Sequence, residues 1–326
     1  VVTQGLLMLW GRKLKNSGVI GLNERNANYI TALNSRRLYP RVDNKRLTKS
    51  LAAAAGMAVP ELFAVAESQG DVRGLPETLA QHKSFVVKPA SGSGGDGILV
   101  IDGRYGGNYR LINGELMPES ALLHHTSNIV SGQFSLTGQP DIALIEYRVQ
   151  FDSVFDEISY RGVPDIRIIV YRGYPVMAMV RLPTRQSDGK ANLHQGAVGA
   201  GVDLATGLTM SASSGNLRVL DHPDTLTPIA GHQVPHWDRI LDIAATGYEV
   251  SGLGYLGVDI VIDKDLGPLM LEMNARPGLN IQIANDAGLK PRFAVIDALL
   301  EDGAADALPE ARARASVELM QPFSPC

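Results

Sequence analysis

Two carboxylates and an amide stand at a spacing that can hold a divalent cation. They lie in the stretch from Gly257 to Gly278, which reads G-V-D-I-V-I-D-K-D-L-G-P-L-M-L-E-M-N-A-R-P-G. Val258 to Ile262 and Leu269 to Met273 are apolar and partly β-branched, with Lys-Asp-Leu-Gly between them, the pattern of two strands and a tight turn. Centring the turn between Asp265 and Leu266 sets Asp259 opposite Glu272. The period-two repeat of a strand then puts Asn274 on the same face as Glu272. Directly opposed side chains have Cβ atoms about 4.5–5.5 Å apart, so the two carboxylates repel unless a positive group lies between them. Oxygen-only donors suit a hard ion, and Mg²⁺ takes one or two carboxylates together with phosphate oxygens. The alternative is a solvated acidic hairpin, because charge patterns are most often plain surface.

A second stretch points to phosphate. Phe85-Val-Val-Lys88-Pro89 reads as a strand, followed by A-S-G-S-G-G-D-G and a further strand from Ile98 to Asp102. Gly92, Gly94 and Gly97 match G-x-G-x-x-G, but the dinucleotide motif needs a helix after the glycines and here a strand follows. The unit is therefore a hairpin with a glycine-rich tip. Such a tip can close backbone N–H groups over phosphates, with Lys88 at its base supplying charge; a plain flexible hairpin is the alternative. No Walker A sequence is present, since Ala191 follows Gly189-Lys190. His232 and His236 have i, i+4 spacing, but Pro235 intervenes and no Glu follows the first, which excludes a zincin.

Other elements must position these groups. K-R-L-T-K-S-L-A-A-A-A from Lys45 is a run of helix formers that Gly56 stops. Leu62–Ala66 reads as a strand and Glu77–His82 as a helical piece. Ile142 to Val149 is an apolar strand ending in charge at Glu146. Pro164–Tyr171 and Tyr174–Arg181 form a hairpin in which Asp165 and Arg167 share a face, with a surface ion pair as the plain reading. Residues 183–201, with Asn192-Leu-His194 embedded, read as a polar loop over a site. Residues 237–250 form an amphipathic helix, Phe293–Leu300 another, and 302–326 an Ala/Glu/Arg helix with a frayed end. Residues 103–141 read as a polar insertion.

The 326 residues are 45% hydrophobic and 20% charged with net charge −4, an ordinary soluble composition with ample length for a core. No basic surplus favours nucleic acid as a partner. The one cysteine, Cys326, excludes an internal disulfide framework and fits a reducing compartment, so a cytoplasmic location is expected. No apolar run reaches transmembrane length. Leu6–Leu9 and Trp10 precede Arg12, Lys13 and Lys15, the reverse of a secretory signal, and are expected to pack on the core.

Taken in order, these pieces resemble the ATP-grasp superfamily across residues 43–297. The similarity rests on a lysine on a helix ending in Gly-x-x-x-Pro, a strand Lys-Pro with a glycine flap, a strand-Glu hinge, D-I-R, N-L-H, and E-M-N-A-R-P-G-L. Within the superfamily it looks most like the α-L-glutamate ligase group, relatives of the ligases that add glutamate to a ribosomal-protein tail. The resemblance implies an α+β fold in which two subdomains clamp ATP, with a shortened N-terminal segment. The expected division is 1–44 packed on the core, 45–145 as the small subdomain with the insertion, 146–310 as the large subdomain with the metal site, and 311–326 as a tail. It implies that Lys45 and Lys88 contact ATP phosphates and that Gly92, Ser93, Gly94, Gly95 and Gly97 form the flap. The hinge backbone of Glu146, Tyr147 and Val149 would meet adenine. Asp259, Glu272 and Asn274 would hold two Mg²⁺ ions, with Mn²⁺ able to stand in. Arg276 would face an acyl phosphate, and Arg167, Arg181 and Asn192 would line the acceptor side. The implied activity is ATP-dependent carboxylate–amine ligation through an acyl phosphate, adding an amino acid such as glutamate to a small molecule or peptide. A phosphotransferase and a non-catalytic nucleotide-binding module are the alternatives, and a homo-oligomer is left open.

Overall fold

The computed structural model describes residues 17–92, 95–135, 138–303 and 307–324. Ser93 and Gly94 of the expected flap, and Leu6–Leu9 with Trp10, lie outside the described residues. The chain divides into two compact units, one of residues 43–50 and 59–150, the other of residues 17–42, 51–58 and those from 151 onward.

Helix α1 (Lys45–Ala54), whose residues up to Ser50 belong to the first unit, begins where Asn44 Oδ1 accepts the Leu47 N–H at 3.1 Å. It ends at Gly56, whose φ of +72° is the left-handed conformation that favours glycine after a helix. Six strands follow: β1 (Leu62–Ala66), β2 (Phe85–Pro89), β3 (Leu99–Tyr105), β4 (Asn108–Leu111), β5 (Leu116–Met117) and β6 (Ala143–Glu146). They form an antiparallel sheet in the order β1-β6-β2-β3-β4-β5. Helices α2 (Gln69–Leu79) and α3 (Glu119–Val130) bury Val72, Leu75, Leu122 and Ile129 in one core with Phe85, Val87 and Ile101 of the sheet. Each such side chain contributes roughly 1.5–3 kcal/mol by leaving water. Helix α2 starts at Ser68, whose side chain and Asp71 satisfy each other's backbone N–H groups. That is well before the expected Glu77, because Gly70, Gly74 and Pro76 break the helical pattern in the sequence.

The polar stretch 103–141 carries regular structure. It completes the sheet with β4 and β5 and covers it with α3. Leu122, Thr126 and Ile129 are buried at helical spacing. The two strands are too short to show a period.

The second unit holds β7 (Asp165–Tyr171), β8 (Tyr174–Leu182), β9 (Val198–Val202), β10 (Thr209–Ser214), β11 (Leu217–Val219), β12 (Tyr255–Asp263) and β13 (Gly267–Asn274). This seven-stranded sheet runs β11-β10-β9-β8-β7-β12-β13, each pair antiparallel. Strands β7 and β12 are buried along their whole length, which explains their near-continuous apolar runs. Helix α4 (Trp237–Ser251) lies close to the sheet at Gly247, where a Cβ would stand 3.1 Å from Val258 and 3.3 Å from Leu256 and Met273. After α5 (Asn280–Ala284) and α6 (Lys290–Glu301), helix α7 (Pro309–Met320) packs on α4 and β8. Most of the expected tail is therefore helix: Arg312 is 4% exposed, donating to Gly173 O at 3.1 Å and paired with Glu249.

Residues 17–42 are tied into this unit by two buried amides. Asn34 accepts the Tyr255 N–H at 3.0 Å and donates to Tyr255 O at 2.6 Å and Ala275 O at 3.0 Å. Gln282 bonds both the N–H and the carbonyl of Ile20, at 2.9 and 3.0 Å. Asn34 thus links the start of β12 to the end of β13. Replacing it by alanine strands three backbone groups, so Asn34→Ala is expected to lower stability by roughly 2–4 kcal/mol, read from the denaturant midpoint.

Asp259 does face Glu272, but through two compensating differences from the expected hairpin. Asp263 pairs with Gly267, so the turn is Lys264, Asp265 and Leu266, tightened by Asp263 Oδ1 accepting the N–H groups of Asp265 and Leu266 at 2.9 Å. A bulge opposite the Asp259–Ile260 step then shifts the register back by one.

Candidate active site

Strand period places the charged residues of β7, β8 and β12 on one face. Asp259 stands across from Arg167, and Asp165 across from Arg181. Arg167 grips both oxygens of Asp259 through Nε and Nη2. Arg181 grips Asp165 in the same bidentate way and reaches over to Asp259 Oδ2 at 2.7 Å. Asp259 is 1% exposed, and Asp165 and Arg167 are 8% exposed. The expected surface pair is therefore a buried four-residue network. Burial would push the Asp259 carboxyl up, but Arg167 and then Arg181 outweigh it and hold it at about 2. Burial dominates at Asp165, with Asp259 adding to it against Arg181, and pushes that carboxyl up to about 6.

Glu272 and Asn274 complete the expected metal set. Asn274 Nδ2 donates to Glu272 Oε1 at 3.2 Å, and both are half-buried. A carboxylate offers about four lone-pair positions, and the arginines use three on Asp259. The Glu272 side chain makes a further contact with the Asp259 carboxylate. Asp165, Asp259 and Glu272 against Arg167 and Arg181 leave one net negative charge. No cluster of three or more His, Cys, Asp and Glu among the described residues could hold a metal unaided. Such a donor set fits Mg²⁺ carried in by phosphate oxygens and does not suit a metal caged by protein alone.

Arg276 extends from the end of this hairpin, exposed, with its guanidinium 4.8 Å from the Tyr39 ring. Arg25 Nη1 fixes the next residue by donating to Pro277 O at 2.9 Å. Asn192 does not join the network: its side chain accepts the His194 N–H at 3.0 Å and caps the turn Leu193–Gln195.

The first unit gathers the other group of expected residues. Lys88 on β2 and Glu146 at the end of β6 form a buried ion pair. Lys49 of α1, which the sequence reading passed over, pairs with Glu146 Oε2 at 2.7 Å and donates to Pro60 O at 2.7 Å. In the sequence Lys49 looks like one more basic residue on an exposed helix. Burial pushes Glu146 up, but Lys88 and then Lys49 pull it below the usual carboxylate range. Burial pulls Lys49 down to about 8 in spite of Glu146. Both Glu146 oxygens are thus taken by lysine ammonium groups. Just beyond it, Tyr147 donates its N–H to Glu61 O at 2.8 Å, while the Val149 N–H meets no backbone carbonyl among the described residues. Lys45 Nζ donates to Gly92 O at 2.7 Å and Ala90 O at 3.4 Å. Gly95 and Gly97 have φ of +86° and +76°. A strand-end backbone N–H beside a glycine loop and lysines suits a purine base and its phosphates. Glu146→Gln would leave two buried ammonium groups against each other, and is expected to destabilise by about 3–5 kcal/mol in chemical denaturation.

These two groups of residues sit on an architecture that comparison identifies. Residues 24–298 match the family described as sugar-transfer associated ATP-grasp. The chain belongs to that family, and its fold is the α+β ATP-grasp fold. Among solved structures it is similar to the ATP-grasp ligase PsnB complexed with a minimal precursor, at 15% identity and TM-score 0.42, covering 82% of this chain and 62% of that one. It is also similar to the D-cycloserine synthetase DcsG, at 19% identity and TM-score 0.43, covering 82% and 72%. A third is the D-alanyl-alanine synthetase A of Vibrio cholerae, at 11% identity and TM-score 0.46, covering 88% and 67%. No curated protein matches the chain. Among the described residues no helix is long and apolar enough to cross a membrane.

Proposed function

We propose that this protein is an ATP-dependent carboxylate–amine ligase that uses Mg²⁺. The observation that supports it most is the acidic hairpin: Asp259 held ionised by two arginines, with the Glu272 carboxyl against it and Asn274 on the same face. In this reading the six-stranded unit handles adenine through Glu146, Tyr147 and Val149, and the phosphates through Lys45, Lys88 and the Gly92–Gly97 loop. The seven-stranded unit supplies Asp259, Glu272 and Asn274 for two Mg²⁺ ions, which when bound offset charge on the transferring phosphoryl group.

A substrate carboxylate attacks the γ-phosphorus of ATP, giving an acyl phosphate and ADP. An amine then attacks the acyl carbon and phosphate leaves. No side-chain nucleophile is needed, and the chain's work is positioning and electrostatic stabilisation. Arg276, exposed at the end of β13, is placed to meet the acyl phosphate, and Arg181 and Arg167 orient Asp259 while adding positive charge. Asn192 serves the acceptor side through the turn it caps. Lys88 acts from within its pair with Glu146, so its charge is shared until phosphate competes for it. The similarity to glutamate ligases proposes an amino acid as one substrate, with a small molecule or peptide as the other. The family's association with sugar transfer adds amino sugars and sugar acids to the candidates.

The test is ADP release against a panel of amino acids, short peptides, amino sugars and sugar acids, with mass spectrometry of the product. A ligase releases free phosphate only when an acid and an amine are both present. A stable phosphorylated product would mark a phosphotransferase, and nucleotide binding without ADP release a non-catalytic module.

A further inference from the structure

The glycine-rich loop is fastened at both roots to the segment that follows β5, and we propose that His125 and Asp141 are positioning residues that hold it for phosphate binding. The proposal rests on the nucleotide reading above and gives the 119–141 stretch a role in it. At the first root, the buried Asp141 carboxylate accepts the Ser91 N–H, with Oδ1 at 3.2 Å and Oδ2 at 3.0 Å. Its Oδ1 also accepts the Ile142 N–H at 2.8 Å, which fixes the carboxylate to the start of β6. Lys45 holds the next residue through Gly92 O. At the second root, His125 Nε2 lies 2.9 Å from Gly97 O. A carbonyl only accepts, so Nε2 carries the proton.

Both roots are glycine for steric reasons. A Cβ on Gly92 would stand 2.4 Å from Pro89 Cγ. A Cβ on Gly97 would stand 2.7 Å from Phe134 Cγ, and the φ of +76° there is itself left-handed. The Phe134 ring lies 5.3 Å from the His125 ring, so the two form one seat under Gly97. The core-facing side of α3 is carried by Leu122, Thr126 and Ile129. His125 stands on its flank, outside that core. Fixing both ends of a loop reduces the conformational freedom it must lose when its N–H groups gather around an anion.

The test measures the affinity of the full chain for ATP and for adenosine, with thermal midpoints, in wild type, His125→Leu, His125→Gln and Asp141→Asn. His125→Leu is expected to weaken ATP binding by about fivefold, the size of one net hydrogen bond. Adenosine affinity and the midpoint should stay at wild-type values. His125→Gln, whose amide can still donate to Gly97 O, should recover most of the loss. Asp141→Asn turns one accepting oxygen into a donor and should weaken ATP by a similar factor. A merely structural role would lower the midpoint and weaken both ligands together. That result, or wild-type ATP affinity in both His125→Leu and Asp141→Asn, overturns the proposal. If His125→Leu does not fold, Asp141→Asn decides. Wild-type protein that binds neither ligand would remove the nucleotide reading itself, and the tether with it.

Discussion

Glu272→Gln is expected to lower ATP-dependent turnover by at least a hundredfold, roughly the loss seen when one electrostatic contact to a transition state is removed. The folded apo protein should keep its stability. Glu272 is half-buried, and the hydrogen bond that Asn274 donates to its Oε1 can be made equally by a glutamine oxygen. The substitution removes a negative charge and keeps the side chain's size and shape. Asp259 loses a like-charged neighbour across the strand pair, which offsets the small cost of any lost attraction to Arg181. Steady-state rates paired with a denaturation curve check both halves. A variant that keeps its rate, or that loses several kcal/mol of stability, would take Glu272 out of the metal set.

Asp259→Asn should behave differently. It breaks a buried pair with Arg167 and a contact with Arg181, so it is expected to cost about 3–5 kcal/mol as well as turnover. The pH dependence has a definite sign. The folded carboxyl sits at about 2, below its ordinary 3.8. Its stabilisation is therefore present above roughly pH 4 and is lost as pH falls through about 2. The gap between wild type and Asp259→Asn should be full at pH 7 and shrink on acidification. Asp165 works in the opposite sense: its carboxyl is raised to about 6, so its stabilisation is present below roughly pH 4 and lost as pH rises through 6. Denaturant midpoints from pH 3 to 7 in both proteins separate the two. A gap that stays constant or grows on acidification would contradict the arginine-held picture of Asp259.

The strands that carry these residues were legible in the sequence because burial writes itself there. β7, β8 and β12 are covered on both faces and read as apolar runs, so Asp165, Arg167 and Asp259 stood out as charges inside them. Helix α1 was legible from its alanines and from Gly56. What the sequence did not show was partnership across distance. In the sequence Asp165 and Arg167 pair with each other because they are two residues apart on one strand face. In the fold each takes its partner from a neighbouring strand. Lys49 and Asn34 gave no signal, since a lysine on a helix and an asparagine in a polar stretch are ordinary surface residues until the packing is known. The α3 segment gave little signal because β4 and β5 are too short to show a period and α3 lies in the same polar run.

The claim at the centre of this account is that the hairpin of β12 and β13 binds a divalent ion together with nucleotide phosphates. Mn²⁺ titration followed by electron paramagnetic resonance tests it most directly, with Mn²⁺ standing in for Mg²⁺. Wild-type protein should bind Mn²⁺ weakly alone and far more tightly when ADP or a non-hydrolysable ATP analogue is added, beyond the binding of Mn²⁺ by nucleotide in buffer. Glu272→Gln should lose that enhancement while still binding adenosine. Nucleotide-dependent Mn²⁺ binding that is the same in wild type and Glu272→Gln would contradict the account.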